Sequence, residues 1–558
     1  MKEFFQDPPQ LKNQYEEDAL LKSFLKRNCP KAMLLEIEPE LKKLGERAIG
    51  EILELGKLAQ GQPPKHIPYD PWGNRIDEIQ VSEAWNRLGE IATEEGLVAT
   101  PYENRHKEFS RIHQFARSYL YGPSSAIYTC PLAMTDGAAK LLSLIGSEEL
   151  KKTAFPNLIS RNIKNAWTSG QWMTERTGGS DVSQTGTVAK KEKGEFRLYG
   201  TKWFTSATTS QIALTLAHIE GDVAGSKGLS LFYVKLRDGS GRLQNIRIHR
   251  LKDKLGTKAL PTAELTLDGT PATLVGTQGE GIKKISPVLN ITRIWNSCMA
   301  VGFMRRGIAL SKDYSQKRKA FGKTLAHQPL HAKTLASLEA EFQGAFHLVF
   351  FVIRLLGKEE NQVATPNELS ILRLLTPVTK LYTGKQAIAV SSEALESFGG
   401  AGYVEDAGLP ELLRDSQVLS IWEGTTNILS LDTLKVVQKG ALTPLFEEFS
   451  KILSGIKNQK LSIEIDLLKN KLKEIQNYFH AHAGVTPAVS EASAREASFL
   501  IAELSIGILL VDHAAWSEGQ NGNESFFAAA SYWCGRKIRI PDSLTLQDLK
   551  LFETLSRP

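Results

Sequence analysis

The 558-residue sequence predicts an α+β protein that is mostly α, with an N-terminal helical domain, a middle β-barrel or sandwich domain, and a C-terminal helical bundle carrying an extra helical extension. Two observations carry this. Apolar residues recur at helical spacing up to about residue 161 and again after about residue 290. Between them, from about Trp167 to Gly276, short alternating runs are separated by Gly, Asp and Pro, which is the texture of a small barrel or sandwich. The expected boundaries are 1–165, 166–285, 286–440 and 441–558.

In the first region, Glu38–Leu58 reads as one helix, with Leu41, Leu44, Ile49, Ile52 and Leu55 on one face. Val81–Gly96 and Leu132–Gly146 read as two more. Pro63-Pro64 and Tyr69–Asn74 are turn material between them. In the middle region, Thr185–Lys191 and Phe196–Gly200 form a hairpin about Gly194. Ile212–Ile219, Leu229–Lys235, Ile246–Arg250 and Ala263–Leu267 follow as strands. Thr292 is then a helix cap, ahead of a stripe from Ile294 to Ile308 that stops at Gly322. A second stripe runs from Leu335 to Leu356 and closes at Gly357. Ser370–Phe398 and Leu429–Gln438 are further helices, and the stripes are packing faces of a bundle. The extension, about Leu442–Ser556, is helical with a loop at 519–523.

Composition narrows the function. With 42% hydrophobic and 23% charged residues the chain is neither disordered nor membrane-like. The N-terminal stretch lacks the apolar core of a signal peptide. The most apolar runs, Ala345–Gly357 and Phe499–Asp512, are shorter than a membrane span and read as buried helices. Cys29, Cys130, Cys298 and Cys534 have no paired spacing, so they are read as reduced core thiols of a cytoplasmic protein. The net charge is +6, yet residues 441–558 hold 12 basic and 14 acidic residues, so the tail is not a basic arm. Gly535–Arg539 is its one compact basic cluster near the end.

No His-Glu-x-x-His, Cys-x-x-Cys or Gly-x-Ser-x-Gly occurs. His480 and His482, two apart, face different sides of a helix and are a poor metal pair. Gly276–Gly281 and Gly399–Gly402 lack the strand and helix context of a dinucleotide fingerprint. Several polar, glycine-rich spots remain. Trp172–Asp181 offers a Gly-Gly approach with hydroxyls, although alone it reads as a turn. Lys202–Ser206 alone reads as a strand with a core Trp. Gln316–Lys323 with His327-Gln328 is a basic cluster at a helix end, explained equally by the macrodipole or by a phosphate ligand. Ser420–Ile428 carries Glu423, a lone acid with no basic residue beside it in sequence.

Taken together, Thr-Glu-x-x-Gly-Gly-Ser-Asp at 174–181, Phe-Gly-Gly-x-Gly-Tyr at 398–403 and Trp-Glu-Gly-Thr at 422–425 resemble the acyl-CoA dehydrogenase family over roughly Thr129–Lys435. Tyr69–Asp77, Met173–Val182 and the extra helical region resemble its AidB-like branch. The resemblance implies that family's fold and an FAD cofactor. Met173, Thr174, Gly179 and Ser180 match the strand and loop over the flavin, and Trp203, Phe204 and Thr205 the segment beside its ring. Arg318, Phe321 and Gln328 match residues that a neighbouring subunit gives to the cofactor. Gly399, Gly400, Thr425 and Asn427 match the remaining contacts. A shared cofactor implies a homo-oligomer, a dimer or a tetramer.

Glu423 matches the family's base, which removes the α-proton of an acyl-CoA while the β-hydride goes to flavin N5, giving a 2-enoyl-CoA. Electrons then pass to an electron-transfer flavoprotein. A model-peptide Glu titrates near roughly 4.3. An apolar pocket is expected to raise it, and an isolated acid suits that role. The alternative base position of the family falls on Thr292, which cannot serve. Gln184, Glu396 and Glu411 depart from the family pattern and bear on substrate fit and cofactor contacts. Two other readings share the resemblance: an AidB-like nucleic-acid-binding or alkylation-damage-response flavoprotein, which the acidic tail disfavours, and an acyl-CoA-binding regulator with little turnover.

Overall fold

The computed structural model describes residues 6–541 except 483, 521 and 537, and beyond them residues 544, 545, 548 and 552. Lys537 of the basic cluster, Asn521 of the expected loop and most of the stretch after 541 lie outside the described residues. The chain divides into two compact units: 13–17 with 35–295, and 1–12 with 18–34 and 296–558.

In the unit 35–295 the expected single helix is two, Lys31–Arg47 and Glu51–Gly61. The periodicity continues across the break because both helices present apolar residues to one core, and periodicity alone does not register a turn at 48–50. Of the expected turn material, Pro63-Pro64 lies outside helix and strand, and Tyr69–Asn74 supplies the turn of a hairpin that the sequence did not indicate, β1 (Lys65–Tyr69) and β2 (Arg75–Gln80). Its turn is built by Asp70, whose carboxylate accepts from the backbone of Trp72 and Asn74.

Seven strands form the middle sheet: β3 (Ser169–Trp172), β4 (Val188–Glu192), β5 (Glu195–Ser206), β6 (Ile212–Ile219), β7 (Leu229–Lys235), β8 (Ile246–Leu251) and β9 (Thr262–Leu274). The order runs β3-β6-β4-β5-β9-β7, and β7 also pairs with β6, so the sheet closes on itself. Closure removes edges. The short β3 escaped the sequence reading because four residues carry too little alternation. β6 reads as a continuous apolar run because both its faces are covered. Ala213 and Ala217 pack with Leu198, Phe232 and Leu265 on one face. Leu214 and Leu216 pack against Leu141, Leu142 and Val288 on the other.

A buried carboxylate closes this unit. Asp136, fully buried in the helix Thr129–Ile145, accepts from Arg111 (2.7 Å), Gln114 (2.8 Å), Tyr102 (2.6 Å) and Trp295 (2.8 Å). Its charge is paired and its lone pairs are used, which is the condition for tolerating it there.

The helix holding Thr292 begins at Gly281 and runs to Lys317. Thr292 is therefore an interior residue and not a cap. Its hydroxyl donates back to the Val288 and Leu289 carbonyls. The helix ends before a two-residue hairpin, Lys319-Ala320 with Lys323-Thr324, that turns at Phe321-Gly322.

In the other unit, the helices Pro329–Glu360, Pro366–Glu396, Leu409–Val418 and Thr426–Val437 pack with the extension helices Leu442–Gly455, Ser462–His482, Ala494–Glu518 and Glu524–Arg536. Thr365 and Glu368 form a capping box that starts the second of these. Pro329–Glu360 and Ala494–Glu518 are longer than their apolar runs implied, and both are long and apolar enough to cross a membrane. Their apolar windows are 94% and 78% buried inside the protein, as packed core helices require. The four cysteines are buried, and none is in a disulfide. Burial pushes the Cys29 and Cys534 thiols up to about 12, so they are unreactive near neutrality.

The His347 and His513 rings meet between these two long helices at 4.4 Å with a tilt of 45°, and His513 Nε2 lies 3.0 Å from the Ser23 hydroxyl. Burial, with Arg27 nearby, pulls the His513 imidazole down to about 3. A depressed histidine contributes stability that is complete above the unfolded value near 6.5 and is lost as pH falls toward the folded value. The expected loss from His513 is about 2 kcal/mol by pH ~5, one pH unit being worth about 1.4 kcal/mol in that window. Thermal melts of the protein and of His513→Phe at pH 7 and 5 check this. The variant sheds part of the acid slope whatever its baseline.

Candidate active site

The expected site residues fall in both units. In the helical unit, Ser420–Ile428 joins the helices Leu409–Val418 and Thr426–Val437. Glu423 has φ +58° and Gly424 φ +106°. A non-glycine residue in the left-handed region is uncommon and costs roughly 1–2 kcal/mol. A Cβ at Gly424 would sit 2.9 Å from Leu429 Cδ2, so only glycine fits there. The Trp422 indole N–H is buried and meets no acceptor among the described residues. Thr425 takes the cap position of the next helix with an extended backbone, and its side chain makes no cap hydrogen bond.

The isolation of Glu423 holds in sequence and fails in space. Lys380, fully buried in the helix Pro366–Glu396, donates from Nζ to the Gly424 carbonyl at 2.6 Å. A cation thus fixes the peptide next to the acid. The signal was available: Lys380 interrupts the apolar run Leu374–Tyr382, where a lysine needs a partner. Lys380→Met is expected to leave that carbonyl unpaired at a cost of about 1–3 kcal/mol. A lower melting temperature together with slower flavin reduction checks this.

Gly399 and Gly400 lie in the short turn Gly399–Tyr403 that follows the helix Pro366–Glu396. Gly399 has φ +61°, and both glycines are open to solvent. Phe398, just before them, stacks on Tyr314 at 4.2 Å. Asn427 is exposed and accepts from Arg495 at 3.2 Å. Arg318 follows the helix Gly281–Lys317, Phe321 stands at the hairpin tip 98% exposed, and Gln328 donates to the Ala320 carbonyl at 2.9 Å, tying the hairpin down. Of the departures from the family pattern, Gln184 and Glu396 are exposed. Glu411 supplies negative charge near the buried Arg306, whose guanidinium burial pulls down to about 10.

In the β unit, Met173 and Thr174 continue from β3, and the Trp203 N–H donates to the Thr174 carbonyl at 3.0 Å. This joins the expected loop to the expected strand segment. Met173 packs on the helix-facing core. Gly179 and Ser180 are exposed, and a Cβ at Gly179 would meet the Thr174 hydroxyl at 2.5 Å. Phe204 is 52% exposed, and Lys252 Nζ sits 4.3 Å from the centres of both the Trp203 and Phe204 rings. Thr205 is fully buried and its hydroxyl donates to the Ala263 carbonyl at 2.8 Å.

A buried ion pair underlies this loop. Glu175 accepts from Lys202 Nζ at 2.7 Å, from the Gly186 N–H at 2.6 Å and from the Thr187 hydroxyl. Lys202 also donates to the Leu216 carbonyl. Burial alone raises the Glu175 carboxyl, but the Lys202 ammonium and the hydrogen bonds outweigh it and hold the group below the usual carboxylate range. The sequence reading took Lys202–Ser206 as aromatic and hydroxyl and missed this pair. The inward-facing register of a lysine between Gly200 and Trp203 in β5 was its only signal. Among the described residues no group of three or more His, Cys, Asp or Glu is arranged for a metal.

Known proteins resemble the chain along most of its length. Residues 6–165 match the AidB N-terminal domain, 170–270 the acyl-CoA dehydrogenase middle domain, 279–437 the acyl-CoA dehydrogenase C-terminal domain, and 440–548 the acyl-CoA dehydrogenase 11 C-terminal domain. Acyl-CoA dehydrogenase family member 11 of Caenorhabditis elegans is 44% identical over 550 residues, covering 95% of this chain and 88% of the relative. Putative acyl-CoA dehydrogenase AidB of Escherichia coli is 32% identical over 418 residues, covering 73% and 75%. The solved structure of the nematode protein in complex with C11-CoA superposes with a TM-score of 0.95 at 42% identity, covering 100% of this chain and 97% of that one. The expected fold and its resemblance are thereby met, and the chain belongs to the acyl-CoA dehydrogenase family.

Proposed function

We propose that the protein is an FAD-dependent dehydrogenase of acyl-CoA thioesters in which Glu423 removes the α-proton. The observation that carries this is the backbone at 423–424. A carboxylate is held in a left-handed conformation, at the start of a helix, with the next carbonyl clamped by a buried lysine. Strain kept in place by such over-determination gathers at functional sites.

The residues fit an FAD. The Trp422 indole N–H is buried and without an acceptor among the described residues. Trp203 and Phe204 offer aromatic faces under positive charge from Lys252. Met173, Thr174, Gly179, Ser180, Thr205, Gly399, Gly400, Thr425 and Asn427 would hold the cofactor, which when bound supplies the hydride acceptor. Glu423 takes the proton α to the thioester carbonyl. Homo-oligomer formation is part of this reading. Phe321 is 98% exposed beside the basic run Lys317–Lys319, which suits burial against a second copy and its bound phosphates. We place the protein in the cytoplasm, consistent with four buried cysteines outside any disulfide, with an electron-transfer flavoprotein as acceptor.

Anaerobic addition of acyl-CoA thioesters of graded chain length, C11-CoA among them, to the FAD-loaded protein is the test. Bleaching of the flavin absorbance and formation of the 2-enoyl-CoA are expected for at least one length. Binding without bleaching across the whole panel would instead identify a low-turnover acyl-CoA-binding protein.

A further inference from the structure

One large cavity is not lined by any of the residues assigned above. It lies in the helical unit, between the helices Thr426–Val437, Leu442–Gly455, Ser462–His482 and Ala494–Glu518, and has a volume of about 980 Å³. That is the size of a small-molecule site, such sites running from about 300 to 1,000 Å³. Phe446, Ala494 and Ile501 are buried on its wall, while Gln438, Thr443, Glu447, Ser450 and His480 are exposed at its rim.

One buried polar group on the wall is left over. Tyr478 is 7% exposed, and its hydroxyl has no hydrogen-bond partner among the described residues. The serines beside it do not share this condition: Ser493 and Ser498 donate to the Val489 and Ala494 carbonyls of their own helices. The Tyr478 ring is held in place. The His482 ring packs on it at 4.0 Å with a tilt of 35°, and His482 Nδ1–H donates to the Tyr478 carbonyl at 2.8 Å. Burial, with Glu496 nearby, raises the phenol above its usual value, so it stays protonated and able to donate. A buried donor without an acceptor costs on the order of 1–3 kcal/mol, and a ligand oxygen would remove that penalty.

The lining also says what the ligand is not. Among the described residues it contains no Lys or Arg; its one carboxylate is Glu447, and His480 and His482 are its imidazoles. A CoA thioester or nucleotide would bring several phosphate charges with no lysine or arginine to pair them, and a fatty carboxylate would enter beside Glu447 with only imidazoles as partners. We propose that this cavity is a second ligand site, for an uncharged amphiphile: an aliphatic chain ending in a hydroxyl or carbonyl oxygen that accepts from Tyr478. The proposal does not rest on the dehydrogenase reading, because no residue of the two sets is shared.

Calorimetric titration of the full-length, FAD-loaded protein with decan-1-ol, in the presence of saturating C11-CoA, tests it. One saturable site is expected, with sodium decanoate binding at least about tenfold more weakly because no lysine or arginine pairs its charge. Tyr478→Phe should weaken decan-1-ol by about three- to tenfold through the lost hydrogen bond. Ala497→Trp should abolish binding by filling the space. Unchanged thermal melts and flavin reduction in both variants would exclude misfolding. Absence of saturable binding, competition by C11-CoA, equal affinity for decanoate, or binding indifferent to both variants would overturn the proposal.

Discussion

Glu423→Gln is expected to abolish flavin bleaching by acyl-CoA while leaving FAD and thioester bound. The amide has nearly the shape of the carboxylate, so the left-handed backbone at 423 and the Lys380 clamp on Gly424 should persist. It cannot accept a proton from carbon. A positioned general base is worth about 10²–10⁴ in rate, and a fall of that size in the stopped-flow reduction rate is the expected reading. The cofactor-to-protein ratio of the purified variant should match the parent. A variant that reduces at the parental rate would remove Glu423 from the mechanism. One that loses FAD would assign it a structural part. Thr292 offers no fallback, being buried inside a helix with its hydroxyl turned onto that helix's own carbonyls.

The second large effect is expected at the ion pair under the flavin-side loop. Lys202 is fully buried and Glu175 is 6% exposed, so neither is screened by solvent. Lys202→Met removes one partner and leaves the carboxylate buried with only its neutral donors. Breaking a buried pair this way costs about 3–5 kcal/mol. The sign with pH follows from the carboxylate. Its folded value is depressed, so its contribution is present above the unfolded value and is lost as pH falls through the folded one. In Lys202→Met the depression largely disappears, so the acid limb of stability below pH ~4 should flatten while neutral stability drops, that being the unfolded range of a Glu. Denaturant melts at neutral and acid pH measure both. Because Glu175 also holds the Gly186 N–H and the Thr187 hydroxyl, the variant should bind FAD more weakly as the 173–187 loop loosens.

Much of this protein is legible in its order of residues. Strands β4 and β5 announce themselves through alternation, β6 through an unbroken apolar run covered on both faces, and the long helices through their 3–4 stripes. The motifs 174–181, 398–403 and 422–425 mark the candidate site, since their glycines answer to local backbone conformation, as φ +61° at Gly399 and +106° at Gly424 attest. The break at 48–50, strand β3 and the hairpin β1–β2 were hidden because a turn between two helices on one core leaves periodicity intact, and four or five residues carry too little of it.

Only the tertiary structure decided who stands beside whom. Glu423 has no basic neighbour in sequence, yet Lys380 reaches the adjoining carbonyl from 44 residues away. Lys202 looked like one polar residue in a strand until closure of the barrel set it against Glu175. The cavity about Tyr478 arises from four helices that are each unremarkable in sequence. Local geometry follows from sterics and hydrophobic period, which a few residues encode. Charge environment and empty space depend on contacts between distant segments, and those exist only after the chain has packed.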